Sequence, residues 1–226
     1  MPIFASSSRS LSAESIVLAL EGLYGQVVAD DRYDPMEELV SCILSQHTND
    51  KNSYPAFDRM RALYRNWADL EHEDPSVVAS IIASAGMAKR KTELIQSCLR
   101  AIREERGEYS IDFLGSMAPE EAMEWLQELP GVGPKTAALV LCFQFGMPVL
   151  PVDVHVHRVS QRLGLIGPST DANRAHQELA GWVPGPLVER FHLALIQHGR
   201  GLCRARQPQC SACPLAADCD FARRAA

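Results

Sequence analysis

Apolar residues recur three and four places apart along most of this chain of 226 residues, with polar residues between them. That period places apolar side chains on one face of an α-helix. Start signals sharpen the reading, because Asp34-Pro35 precedes MEELVSCILSQ and Asp74-Pro75 precedes SVVASIIAS. Each pair supplies a cap, then a residue whose missing N–H costs nothing at the first helical position. The period continues in ELIQSCLRAI, EEAMEWLQEL, AALVLCFQF, VHVHRVSQRLGLI, ANRAHQELAGWV and LVERFHLALIQHG. Connections such as GMPVLP and IGPST, with glycine and proline, separate these runs. No stretch reads as a strand. The expectation is an all-α fold of about ten helices with short loops and no internal repeat.

Composition changes this picture only at its edges. At 46% hydrophobic residues the chain can build one large domain or two small ones. The strongest apolar run, AALVLCF, is far shorter than the roughly 20 residues needed to span a bilayer, so no membrane helix is expected. The start, MPIFASSSRSLSA, lacks a signal-peptide core and reads as a frayed tail, and a soluble cytoplasmic protein is expected. A net charge of -6 argues against a protein that coats nucleic acid without specificity. A local patch is still open: Lys89-Arg90-Lys91 and Arg158, Arg162, Arg200, Arg204 and Arg206 are candidates for one basic face on an acidic body.

Two stretches carry chemistry. In LPGVGPKTAALV, Pro134 suits the first position of a helix, so Lys135 falls in its first turn. A cation there opposes the helix dipole at a cost of about 0.3–1 kcal/mol. Its sign favours an uncharged amine, which is a nucleophile. Four of the seven cysteines, Cys203, Cys210, Cys213 and Cys219, form Cys-x6-Cys-x2-Cys-x5-Cys within seventeen residues. Disulfides suit a reduced compartment poorly, and Cys42, Cys98 and Cys142 lie in apolar helical runs as ordinary core residues. Four thiolates suit zinc or a 4Fe-4S cluster, and the spacing alone leaves the two open.

LPGVGPKTA, then PVDVHVHR, then this cysteine spacing resembles the endonuclease III family of DNA repair glycosylases, with Lys135 and Asp153 eighteen residues apart. The resemblance runs from ELVSCILSQHTND through the cysteines. It implies two helical domains, one over residues 28–147 with a helix-hairpin-helix, the other joining 1–27 to 148–226 and holding a 4Fe-4S cluster on the four cysteines. It implies further that double-stranded DNA with damaged bases or abasic sites bends across the cleft between them, bound by a monomer.

Each motif then has a physical task. Gly131, Val132 and Gly133 form the hairpin, where glycine permits tight turns and close approach of backbone N–H groups to a phosphate. A damaged base is extruded before its glycosidic bond is reached, and the gap it leaves is filled. The family's gap-filling positions correspond here to His47, beside Gln46, and to Met87; both depart from the common pattern. Lys89, Lys91, Arg204 and Arg206 are expected to meet phosphates, whereas Gln207 and Gln209 stand where basic residues are usual. The resemblance implies a bifunctional glycosylase and abasic-site lyase for oxidised pyrimidines such as thymine glycol. Lys135 would attack the sugar and form a Schiff base, while Asp153 stabilises the cationic sugar and also suits an N-cap. The rivals are a mismatch-specific or monofunctional glycosylase, which wants a carboxylate where Cys42 stands, and a non-catalytic hairpin protein with a structural metal site. His155, His157 and His198 are expected to be packed or hydrogen-bonded. The stretch YSIDFLGSMAPEE is longer than in typical relatives, and reads either as an altered cleft edge or as a surface extension.

Overall fold

The computed structural model describes residues 11–29 and 33–225. The frayed tail expected at the start therefore lies almost wholly outside the described residues. Within them the chain forms twelve α-helices and five short 3-10 turns, with no strand. The fold is all-α, as expected. It divides into two compact units, one of Met1–Asp30 with Pro148–Ala226, the other of Asp31–Met147.

Helix α1 (Ala13–Tyr24) opens with a reciprocal Ser12/Ser15 capping box and buries Ala13, Ile16, Val17 and Leu20, one stripe at helical spacing. The second unit then runs through α2 (Pro35–Ser45), α3 (Asp50–Leu63), α4 (Trp67–His72), α5 (Pro75–Ile81), α6 (Ala88–Arg106), α7 (Pro119–Glu128) and α8 (Pro134–Phe145). Asp34 caps α2 and accepts from Glu37 N–H at 2.8 Å, as the Asp-Pro signal predicts. Seven successive buried or near-successive positions, from Met36 through Leu44, make α2 the core helix on which α3, α6 and α8 pack. Helix α8 also buries most of its circumference, so its long apolar run marks a helix enclosed by neighbours.

Among the described residues this unit holds seven α-helices, two of which, α3 and α4, the apolar period does not show. Pro55 interrupts the pattern of α3, and α4 is six residues long, too short for a period to show. What fixes α4 is tertiary. Glu71, with 2% of its side chain exposed, accepts a bidentate pair of hydrogen bonds from Arg103 of α6 at 2.9 Å and one from Tyr109 hydroxyl at 2.6 Å. The long stretch before the hairpin packs: Ile111 and Leu114 are buried, Phe113 meets Trp125 edge-on, and the Arg106 guanidinium lies 3.9 Å from the Phe113 ring.

The first unit resumes with α9 (Val154–Leu163), α10 (Ala172–Leu179), α11 (Val188–Arg200) and α12 (Asp220–Ala225). Helix α11 packs on α1 and α9, and α12 on α9. Glu21 of α1 is tied to Arg190 of α11 at 2.6 Å. No described helix is long and apolar enough to cross a membrane.

Candidate active site

Gly131 takes φ +81, and a Cβ there would meet the Leu94 side chain at 3.2 Å, so glycine is required by both conformation and space. Gly133 is different. Its φ of -105 and ψ of 178 are ordinary extended backbone, and a Cβ would meet nothing within 4 Å. The tight turn expected of both glycines therefore needs only the first. Gly133 caps α8 with no side-chain cap, leaving the N–H groups of Lys135 and Thr136 without one. Pro134 takes the first position as predicted, and Lys135 follows, exposed, with no hydrogen bond or ion pair among the described residues. Val132 is buried, its N–H bonded to Leu129 carbonyl at 3.1 Å. Gln46, at the end of α2, donates its side-chain N–H to the Gly131 carbonyl at 2.7 Å, which makes it a brace for the hairpin.

Three described residues other than glycine have positive φ: His47 at 55, Met87 at 48 and Gln207 at 52. The left-handed region costs such residues on the order of 1–2 kcal/mol and is rare. Two of the three are the positions assigned to filling the gap left by an extruded base, and both are exposed, Met87 by 48%. The third lies in the cysteine loop.

The expected basic face contracts. Lys91 is 2% exposed, and its ammonium donates to the Ala85 carbonyl at 2.7 Å; burial pushes its pKa below the usual lysine value. It closes the turn before α6 from inside and is withdrawn from any DNA surface. Lys89 stays exposed. Arg158 and Arg162 also turn inward. Arg158 donates to the carbonyls of Gly199 at 2.8 Å and Cys203 at 3.2 Å. Arg162 reaches the carbonyls of Arg204 at 2.7 Å and Ala205 at 3.0 Å. Arg204 spends its Nε on Gly201 carbonyl at 2.8 Å while remaining exposed, and Arg206 is exposed.

Asp153 caps α9 by accepting from His155 N–H at 2.8 Å and Val156 N–H at 2.7 Å through Oδ1. Its approach is anchored by two histidines the sequence did not single out. His176 and His192 contact the carbonyls of Leu150 at 3.1 Å and Pro151 at 2.8 Å, so the proline-rich link is held on its way to the carboxylate. His155 and His157 are hydrogen-bonded as expected: His157 contacts the Thr170 carbonyl at 2.8 Å and His155 faces Arg158 at 3.1 Å. Asp153 lies in one unit and Lys135 in the other.

The four loop cysteines line one recess, partly open to solvent, whose walls include Arg162, His198, Leu202 and Phe221. Among the described residues no three His, Cys, Asp or Glu side chains are gathered tightly enough to hold a single ion. Arg162 donates to Cys203 Sγ at 3.3 Å and stacks over Phe221 at 4.6 Å. Burial raises the Cys213 thiol, opposed by the Leu215 backbone and reinforced by Cys203, Cys219 and Cys210. Burial also pushes the His198 imidazole down to about 4, so it is neutral. Cys98 and Cys142 are buried in the core as expected.

Cys42 has a neighbour the sequence reading missed. Its thiol donates to Glu38, one turn earlier on α2, at 3.3 Å. Burial raises the Glu38 carboxyl, and burial, then Glu38, raises the Cys42 thiol well above its usual range, while the nearby Lys135 charge lowers it. The i,i+4 spacing was visible; that this face lies beside Lys135 was not.

Comparison with known proteins adds the family. Residues 40–185 match the HhH-GPD superfamily base excision DNA repair protein. The chain is 36% identical to endonuclease III of Synechocystis sp. over 219 residues, covering 96% of this chain and 95% of that protein. It is 34% identical to endonuclease III of Thermotoga maritima over 191 residues, covering 84% and 85%. Among solved structures, a trapped endonuclease III–DNA covalent intermediate is similar with TM-score 0.81 and 27% identity, over 95% of this chain and 99% of that one.

Proposed function

This chain belongs to the HhH-GPD superfamily of base excision DNA repair proteins, and on that footing we propose that it is a bifunctional DNA glycosylase and abasic-site lyase acting on oxidised pyrimidines. At the coarser level it is an endonuclease III-like base excision repair glycosylase. The observation that carries the finer reading is Lys135: an exposed, unpaired amine at an uncapped helix start, behind a glycine that nothing inside the protein requires. An external strand that approaches the Gly133 backbone accounts for both.

The helix start receives a phosphate on its free N–H groups and on the positive end of the helix dipole. Extrusion of the base is followed by filling of the gap by His47 and Met87, whose strained backbone supports that assignment. Lys135 Nζ attacks C1′ as the base departs, the resulting Schiff base acidifies the C2′ proton, and β-elimination releases the 3′ phosphate. Asp153 stabilises the cationic sugar electrostatically while Oδ1 retains its capping bonds. The substrate is double-stranded DNA in the cytoplasm or nucleoid, handled by a single chain.

The donor set fits a 4Fe-4S cluster: four thiols around one recess, with Arg162 donating to the Cys203 sulfur and a ring nitrogen of His198 facing that of Cys213. Cys203, Cys210, Cys213 and Cys219 would hold it, and it would supply a fixed fold for the loop together with one-electron redox chemistry. A visible absorption band distinguishes it from colourless zinc thiolate.

Borohydride trapping on abasic and thymine-glycol duplexes tests the reaction. The parent protein forms a covalent adduct, and Lys135→Ala abolishes it without changing the thermal midpoint. Asp153→Asn, which keeps a capping oxygen, preserves stability to within about 0.5 kcal/mol but slows base release by a factor on the order of 100 or more. Absence of an adduct where DNA binding is seen rejects the lyase. A second reading is carried by Glu38: with a half-buried carboxyl beside Cys42, α2 does offer an acid to a monofunctional glycosylase. Base release without nicking identifies that case.

A further inference from the structure

His198 stands where α11 passes into the cysteine loop, and it is 1% exposed. Its backbone carbonyl accepts the N–H of Cys203 at 2.9 Å. Its ring faces two ways: Nδ1 lies 3.0 Å from the Tyr24 hydroxyl of α1, and Nε2 lies 3.5 Å from Sγ of Cys213. The hydroxyl decides the tautomer. Among the described residues the hydroxyl's hydrogen-bond partner is Nδ1, and a phenol that accepted there would leave its own proton unused, so that proton is directed at Nδ1. Nδ1 is then the acceptor, and Nε2 carries the ring's proton. That proton points at a sulfur. Gly201 leaves the space this needs, since a Cβ there would meet the Tyr24 oxygen at 3.1 Å.

Resting on the cluster reading above, we propose that His198 is a positioning residue of the iron-sulfur site, donating Nε2–H to the Cys213 sulfur in a tautomer locked by Tyr24, and that this bond raises the cluster's electron affinity. Hydrogen bonds to sulfur are among the levers that set a cluster's potential. Locking one ring nitrogen to orient the other is how proteins aim an imidazole at a metal site. An N–H at a thiolate stabilises the electron-rich reduced state more than the oxidised one, so its loss lowers the potential. Arg162 performs the matching task for Cys203 from α9, which leaves the Cys213 sulfur to the α1–α11 pair.

The test is spectroelectrochemical titration of the full-length holoprotein and of Tyr24→Phe, His198→Leu and His198→Gln. His198→Leu is expected to lower the reduced-to-oxidised ratio at a fixed potential about tenfold, equal to about 59 mV for a one-electron couple. Tyr24→Phe, which removes a single oxygen and stays informative if His198→Leu does not fold, shifts the potential in the same direction by less. His198→Gln, which restores an N–H, recovers the parent value. Unchanged or raised potentials in both Tyr24→Phe and His198→Leu overturn the proposal. A parent protein that is colourless and carries zinc rejects the cluster reading itself, a result seen from metal content before any variant is made.

Discussion

Gly131 and Gly133 sit two residues apart in one hairpin and answer to different demands. Gly131 has a left-handed φ of +81 and the Leu94 side chain against it; Gly131→Ala is therefore expected to cost on the order of 1–3 kcal/mol in urea unfolding. At Gly133 the backbone is extended and the space open, so Gly133→Ala leaves folding unchanged or slightly favoured. Its effect belongs to binding. Affinity for an abasic-site duplex falls with Gly133→Ala, because the methyl holds a phosphate away from the N–H groups of α8. A variant that loses stability but binds normally would falsify the phosphate role of that glycine. Sequence alone supplied two glycines; separating their roles took a dihedral angle and a neighbour, Leu94, that lies 37 residues earlier in the chain.

Among the elements, α4 shows most clearly how a short helix is kept by a partner. The Glu71 carboxyl is held down to about 2, chiefly by Arg103 and then by Tyr109, against the opposing effect of burial. A folded-state pKa below the unfolded value means stability that is complete above the unfolded pKa of 4.5 and is lost as pH falls toward about 2. At neutral pH this contribution is on the order of 2–3 kcal/mol. Urea midpoints measured between neutral pH and strong acid are expected to fall steeply in that window. Glu71→Gln starts lower and flattens that part of the curve; parallel curves for the two proteins exclude the pair as the cause. The elements with Asp-Pro starts needed no such help to be legible, because Asp34 and Asp74 cap their own helices within a turn.

For the whole molecule, the inward turn of Lys91, Arg158 and Arg162 removes three cations from an already acidic chain of net charge -6. DNA affinity should thus depend weakly on salt. Lys89→Ala and Arg206→Ala are each expected to reduce the slope of log affinity against log salt by about one unit. Lys91→Ala instead lowers the unfolding midpoint and leaves the slope unchanged. A slope change of one unit for Lys91→Ala would put that ammonium back at a phosphate.

What the sequence by itself determined is local in the chain: the helical period, the Asp-Pro starts, Pro134 ahead of Lys135, and four cysteines within seventeen residues. Neighbours along the backbone decide these, through hydrogen bonds and capping that reach no farther than a turn or a short loop. Only the tertiary structure decided which charges face inward. Arg162 meets Cys203 across 41 residues, Gln46 meets Gly131 across 85, and Tyr24 meets His198 across 174. A long polar side chain carries no mark of its partner; its direction is set when packing removes water and leaves its donors one acceptor within reach.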